Sequence, residues 1–176
     1  MPNHQQSKHQ YFESRKSQVR IGILGSYTED LYEKLHALRA FLRKNGYNAR
    51  MAEDVEYTLL GDPAPKDDYK VSMKLIDESD ILIFIFIAEK KDEHYDLQSV
   101  SMELQHLADL FKLESQNKIY VVLYFQKGLR NEMRGIFTGL LDEHQADLDI
   151  GFDFEEVEEI FEPVLEFCRE CVEDFF

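Results

Sequence analysis

The stretch that decides the fold is SDILIFIFI, residues 79–87. From Ile81 to Ile87 it contains seven consecutive apolar residues, all isoleucine, leucine or phenylalanine, with no polar alternation. An uninterrupted run of this kind is typical of a strand that is buried on both faces, as the central strands of parallel sheets are. The sequence therefore predicts a parallel sheet with helices packed on both of its faces.

Outward from this strand, short apolar runs alternate with segments of helical periodicity. This alternation predicts a three-layer α/β/α fold with a five-stranded parallel sheet. We expect the strand order 2-1-3-4-5, the flavodoxin-like arrangement, because it places the two strongly apolar strands inside the sheet. The predicted strands are 19–24, 47–52, 81–87, 119–125 and 148–152, and the predicted helices are 30–44, 66–79, a helix from about residue 96, 128–143 and 155–176, the last kinked or restarted at Pro163.

The length of 176 residues suits one domain, which we assign to residues 18–176, after a flexible polar arm at residues 1–17. The least regular segment is 53–69, where Gly61, Pro63 and Pro65 mark a loop long enough to serve as a lid or a binding loop.

Charge limits the partners that the protein can have. The 35 acidic and 20 basic residues give a formal net charge of −15, which repels phosphate backbones and anionic membrane surfaces. We therefore expect neither nucleic acid nor a membrane as a partner, and a homo-oligomer is left open. No apolar stretch reaches the roughly 18 to 20 residues of a membrane span, and no signal sequence is visible at the start, so a cytoplasmic protein is expected.

The two cysteines, Cys168 and Cys171, form a C-x-x-C pattern in the last predicted helix. Redox sites of this pattern need a strand-to-helix turn that lowers the thiol pKa, and a zinc site needs further ligands. We therefore interpret both thiols as packing residues, and we expect no bound metal and no resident cofactor.

A binding site is expected at the switch point of the predicted sheet, where the loops after strands one and three face each other. The first loop begins Gly25-Ser26-Tyr27. Gly25 would let the backbone approach a ligand, Ser26 would form a hydrogen bond, and Tyr27 would stack on a base or a sugar. A simple turn with a helix cap is the alternative interpretation.

The second loop leads into a helix with a polar face. Asp96, Ser99, Glu103 and His106 are spaced by 3, 4 and 3 residues, so they share one side of this helix, beside its apolar stripe. A carboxylate at the rim of the core is partly desolvated, as a nucleophile or a general base requires. Position makes Glu103 a candidate for a catalytic carboxylate, with Asp96, Ser99 and Glu89 of the charged loop 89–95 as candidate substrate-binding residues; an ordinary surface glutamate is the alternative for Glu103.

These residues also carry a family resemblance. The segment SVSMEL at 99–104 resembles the G-x-x-x-E helix of nucleoside 2-deoxyribosyltransferases and of the related Toll/interleukin-receptor-like NAD-cleaving domains. The loop 25–27 is similar to the loop after the first strand of that superfamily. Ser79-Asp80 before an apolar strand is similar too, although we interpret Asp80 as structural. The resemblance covers residues 19–125.

The resemblance implies a reaction at an N-glycosidic bond. Glu103 would attack C1′ of a ribosyl group or stabilise an oxocarbenium-like transition state, Tyr27 would seat the sugar, and a nucleoside, a nucleotide or NAD would be the substrate. Ser99 stands where the family has glycine, and Ala88-Glu89 stands where the family often has Asp-Gly, with Glu89 as a substitute for the aspartate. These departures leave a second hypothesis, a non-catalytic nucleotide-sensing or protein-assembly module on the same fold.

Overall fold

The apolar run after Asp80 forms a strand at Ile81–Phe86, and all six residues of this strand are buried. It is hydrogen-bonded to a parallel strand on each side. The prediction of a central strand buried on both faces is confirmed. The structure is a computed structural model, and the residues that it describes are 12–25, 29–55, 68–87, 90–91, 94–95, 105–109, 119–132 and 148–175.

Apart from the short strands β4 and β5, which follow β3 directly, the described strands and helices alternate along the chain. The strands are β1 (Arg20–Gly25), β2 (Asn48–Arg50), β3 (Ile81–Phe86), β4 (Lys90–Lys91), β5 (His94–Tyr95), β6 (Tyr120–Gln126) and β7 (Leu148–Phe154). The helices are α1 (residues 12–16), α2 (Glu29–Lys44), α3 (Asp68–Asp77), α4 (residues 105–109), α5 (Leu129–Glu132) and α6 (Phe161–Phe175), with 3-10 turns at Ala52–Asp54 and Val157–Ile160.

The main sheet has five strands in the order β2-β1-β3-β6-β7, and every pairing in it is parallel. Because β4 and β5 pair only with each other, this order corresponds to the predicted 2-1-3-4-5. The flavodoxin-like three-layer fold is therefore confirmed.

Two apolar clusters cover the two faces of the sheet. On the first face, α2 and α6 pack against alternate residues of β1, β3 and β6; on the second face, α3, α4 and α5 pack against the residues between them. Burial of this much apolar side-chain surface is the main favourable contribution to folding. Fully buried members are Leu35, Leu38, Ile83, Val164 and Val172 on the first face, and Leu75, Ile76, Phe84, Leu107 and Leu123 on the second.

The two cysteines belong to the first cluster. Cys168 and Cys171 are both buried, and burial raises the pKa of the Cys168 thiol well above its ordinary value. A thiol in this environment stays protonated and unreactive. Their interpretation as packing residues is confirmed.

Asp80 ties three strands together at the amino edge of the sheet. Its Oδ2 atom accepts a hydrogen bond of 2.8 Å from the backbone N–H of Arg20, and its Oδ1 atom lies 3.1 Å from the Arg20 guanidinium. The carbonyl of Asp80 also accepts a bond of 3.1 Å from the backbone N–H of Tyr120, the first residue of β6. The structural interpretation of Asp80 is therefore confirmed.

Several boundaries differ from the sequence-based expectation. The charged connection predicted as a loop over 89–95 contains an antiparallel pair, in which Lys90 is opposite Tyr95 and Lys91 is opposite His94. The last predicted helix is divided into a 3-10 turn and α6, with Pro163 in the first turn of α6, where a missing N–H is tolerated. The segment 56–67 and residues 133–143 of the predicted helix 128–143 lie outside the described residues.

The described part of the N-terminal arm is helical. Phe12 of α1 packs against the first apolar cluster, and the Lys16 ammonium lies 5.2 Å from the centre of the buried Tyr47 ring. Gly46, beside this contact, has a φ of +88°, which glycine adopts without a steric penalty at the end of a helix. Residues 12–16 are thus docked at the corner between α2 and β2.

An irregularity in β7 changes which faces its side chains occupy. Leu123 of β6 is opposite Ile150, whereas Phe125 is opposite Asp153, so β7 contains one extra residue between these pairs. This bulge allows Leu148 to lie in the second apolar cluster and Phe154 to lie in the first. In a strand of strict period two, residues six positions apart would face the same side.

Replacing Phe154 with alanine should lower the free energy of unfolding by about 3 to 5 kcal/mol, because its side chain is fully buried. The matched control is Phe152→Ala on the same strand, which should cost less than about 1 kcal/mol because Phe152 is 45% exposed. Urea denaturation measures both losses. Equal losses would contradict the face assignment that the bulge produces.

Candidate functional site

The sheet order places the carboxyl ends of β1 and β3 side by side. Gly25, the last residue of β1, is paired with Ile85 near the end of β3. A Cβ atom at Gly25 would lie 2.8 Å from the Ile85 carbonyl oxygen and 3.3 Å from the Leu35 side chain. The fold therefore requires glycine here for strand packing, independently of any ligand.

Six of the seven predicted site residues lie outside the described residues, and they are Ser26, Tyr27, Glu89, Asp96, Ser99 and Glu103. Gly25 is the member of the set that the structure describes, and its proposed contact with a ligand stays a prediction. The described residues show the two strands, β1 and β3, whose carboxyl ends form the switch point.

The helix that the sequence predicts to include Glu103 is described at residues 105–109. Leu107 and Ala108 are buried in the second apolar cluster. His106, which the sequence places on the same side as Glu103, has its Nε2 atom 2.8 Å from Oδ1 of Asp77 on α3. His106 therefore links α4 to α3, and the described part of α4 is held both by the core and by this polar contact.

A polar cluster that the sequence did not suggest lies beyond the carboxyl end of β2. Glu53 accepts hydrogen bonds from Tyr32 and Arg39, and its Oε2 atom lies 3.3 Å from Nε2 of His36. Arg39 also donates to Nδ1 of His36 at 2.7 Å, which places the proton of a neutral His36 on Nε2, facing Glu53. We call this set the Arg39 network; its members are Tyr32, His36, Arg39, Arg43, Glu53 and Asp54.

The second carboxylate of the Arg39 network is equally well held. Oδ2 of Asp54 accepts hydrogen bonds of 2.8 Å from Arg39 and 2.9 Å from the backbone N–H of Met51, and it lies 3.1 Å from the Arg43 guanidinium. Several charge-assisted contacts to one oxygen fix the position of the side chain.

Both carboxylates are ionised at neutral pH. Burial alone would raise the pKa of Glu53, but the hydrogen bonds from Tyr32 and Arg39 and the charge of Arg39 outweigh it, so its pKa lies below the ordinary 4.5. Burial likewise opposes a lowered pKa at Asp54, and the bonds from Met51, Arg39 and Arg43 bring it below the ordinary 3.8. Acids in this state are poor proton donors near pH 7.

The described contacts of the Arg39 network are structural, because its arginines hold both carboxylates in place. The network joins α2 to the 3-10 turn Ala52–Asp54, at the beginning of the segment 53–69 that the sequence predicts as a lid or binding loop. A signal was present in the sequence, since Tyr32, His36, Arg39 and Arg43 are spaced by 4, 3 and 4 residues and so share one side of a helix. Their acidic partners could not be assigned without the tertiary structure.

No group of three or more histidine, cysteine, aspartate or glutamate side chains within the described ranges is arranged to hold a metal ion. Over the same part of the chain, no helix is both long and apolar enough to cross a membrane.

The architecture and the switch point define a flavodoxin-like α/β protein. No protein-family model matches the chain, and none of the curated proteins matches it.

Removing both carboxylates of the Arg39 network, in Glu53→Gln/Asp54→Asn, should lower the free energy of unfolding at about pH 7 by roughly 1 to 2 kcal/mol. The lowered pKa values mean that this contribution is complete above the ordinary values of 4.5 and 3.8 and is lost as the pH falls through the lower folded-state values. The difference from the wild type should therefore shrink as the pH falls below these ordinary values.

Urea denaturation over this pH range measures the effect. The matched control, Glu33→Gln/Glu170→Gln, removes two exposed carboxylates and should follow the wild type. A difference between the network variant and the wild type that did not change with pH would contradict the assignment.

Proposed function

We propose that this protein binds a nucleoside, a nucleotide or NAD at the switch point and cleaves or transfers at the N-glycosidic bond. The observation that carries the proposal is the adjacency of β1 and β3, with Gly25 opposite Ile85. Ligands of open α/β sheets collect at such a point, outside the carboxyl ends of the strands. The segment with Ser26 and Tyr27 follows the end of β1, and the connection toward Glu103 follows the end of β3.

The proposed chemistry uses Glu103 as the nucleophile. Its carboxylate attacks C1′ of the ribosyl group, the bond from C1′ to the base nitrogen breaks, and the base leaves with the bonding pair. The base of a nucleoside takes up a proton as it leaves, whereas the nicotinamide of NAD leaves neutral and needs none. Water, or the base of a second nucleoside, then attacks C1′ and releases the carboxylate. Tyr27 seats the sugar, and Ser26, Glu89, Asp96 and Ser99 bind the substrate. NAD is a substrate in this scheme and not a cofactor.

Rigid support near the site is consistent with this proposal. A nucleophile must be held in place relative to C1′ to within a fraction of an ångström. The described end of the helix is fixed by the buried Leu107 and by the contact of His106 with Asp77. The Arg39 network restrains the start of the segment 53–69 on the opposite side of β1.

The protein incubated with NAD and a panel of ribonucleosides and deoxyribonucleosides should release free base, which liquid chromatography detects. Glu103→Gln should lower this rate by on the order of 10³-fold or more, because the amide is a poor nucleophile. The matched control is Asp109→Asn, an exposed carboxylate on α4, which should keep the wild-type rate. Unchanged base release in Glu103→Gln would remove this residue from the mechanism.

A non-catalytic nucleotide-sensing or protein-assembly module is the second candidate function. The acidic surface of α6 favours it, since all of the acidic side chains on this helix are exposed while its apolar side is buried. In that case NAD or a nucleoside at about 100 times its Kd should stabilise the fold by about 2.7 kcal/mol without any base release. Thermal unfolding in the presence of the same ligand panel separates the two functions.

A further inference from the structure

The outer strand β7 exposes two large apolar side chains. It is the last strand in the order of the main sheet, and its Ile150 and Phe152 are 42% and 45% exposed. They are the exposed large hydrophobic residues of the described part of the chain. An apolar outer strand is a template for pairing with another chain.

The bulge in β7 places these two side chains on opposite faces of the sheet. Ile150 is opposite Leu123, which belongs to the second apolar cluster, whereas the Phe152 ring lies 5.9 Å from the ring of Tyr124, which belongs to the first. Gly151 is needed between them, because a Cβ atom there would overlap the Tyr124 ring. An added strand has side chains on both faces, so it would cover Ile150 and Phe152 together.

The surface around β7 is strongly acidic. The strand and the 3-10 turn that follows it, residues 148–160, contain six acidic residues and no lysine or arginine. All six acidic side chains are exposed, and they are Asp149, Asp153, Glu155, Glu156, Glu158 and Glu159. Among the described residues, Lys34, Lys127 and Arg130 form ion pairs with acids of this segment, and the carboxylates still outnumber these cations.

We propose that β7 is a docking strand for an extended cationic segment of another protein. The partner segment pairs with the outer edge of β7, its apolar residues cover Ile150 and Phe152, and its lysines or arginines face Asp149 and the neighbouring carboxylates. Charge complementarity selects this partner, since opposite charges across a strand pair are stabilising and like charges are destabilising. A second copy of this chain would bring two strongly acidic surfaces together, which argues against self-association through β7.

This inference is independent of the reaction proposed for the switch point. The switch point lies between β1 and β3, whereas β7 is the outer strand beyond β6. Loss of base release in Glu103→Gln and loss of partner binding at β7 are therefore separate observations, and each can fail without the other.

The probe is a fluorescently labelled synthetic peptide as long as β7, in which lysine alternates with valine. The full-length protein should bind it, and fluorescence anisotropy measures Kd. Binding should weaken as the salt concentration rises, because exposed charges are screened. A peptide with glutamate in place of lysine, and a lysine and valine peptide with a central proline, should both bind at least about tenfold more weakly.

Variants of the protein test whether the peptide binds at β7. Ile150→Ser/Phe152→Ser should raise Kd by about tenfold or more, because the apolar contacts are lost. Asp149→Asn should raise Kd by about twofold to fivefold, whereas its charge-matched control Glu33→Gln, on α2, should leave Kd within about twofold of the wild type. Thermal unfolding checks that each variant is folded.

Three outcomes would overturn the proposal. They are no binding of the lysine and valine peptide, equal binding of the proline-containing peptide, and equal binding by the folded Ile150→Ser/Phe152→Ser variant. Sedimentation of the protein alone gives a further test, since a dimer that Phe152→Ser dissociates would make the occupant of β7 a second copy of this chain.

Discussion

The rest of the structure depends on the close parallel approach of β1 and β3. Every side chain of β3 is buried, so its neighbours must fit against it without gaps on both faces. β1 contributes glycine at two of the five positions paired with β3, and a Cβ atom at Gly22 would lie 2.6 Å from the Ser79 hydroxyl oxygen. Asp80 fixes the register of the same pair at the amino edge through Arg20. The two helical layers and the switch point are positioned by this pair of strands.

The features that the sequence predicted correctly depend on local pattern, and those that it missed depend on tertiary contacts. An apolar run of seven residues and the 3.6-residue period of α2 and α6 are visible along the chain, and they led to the correct sheet order. The β4 and β5 pair is short and polar, so it carries no burial pattern. The bulge at 150–152 and the Arg39 network involve partners distant in sequence. Within the candidate site, Gly25 gains a packing role that its sequence context did not reveal.

Charge and apolar surface are distributed unevenly over the two margins of the sheet. Near β2, acids and bases are interleaved in the Arg39 network and neutralise one another. Near β7, acids outnumber bases, and the exposed apolar side chains lie among them. A small polar ligand at the switch point and a cationic protein segment at β7 would therefore meet different electrostatic environments. The fold allows both to be bound at once, since β3 and β6 separate the two locations from each other.

The extra residue in β7 makes the length of this strand as important as its composition. Substitutions at Asp149 or Ile150 change only what solvent or a partner meets, because both side chains are exposed. Loss of one residue between Ile150 and Asp153 would instead move each following side chain of β7 to the opposite face of the sheet. Phe154 would then point away from the first apolar cluster. Among natural variants of this chain, β7 should therefore tolerate substitution at exposed positions such as Asp149 better than insertions and deletions, a constraint more familiar in loops that bind ligands than in outer strands.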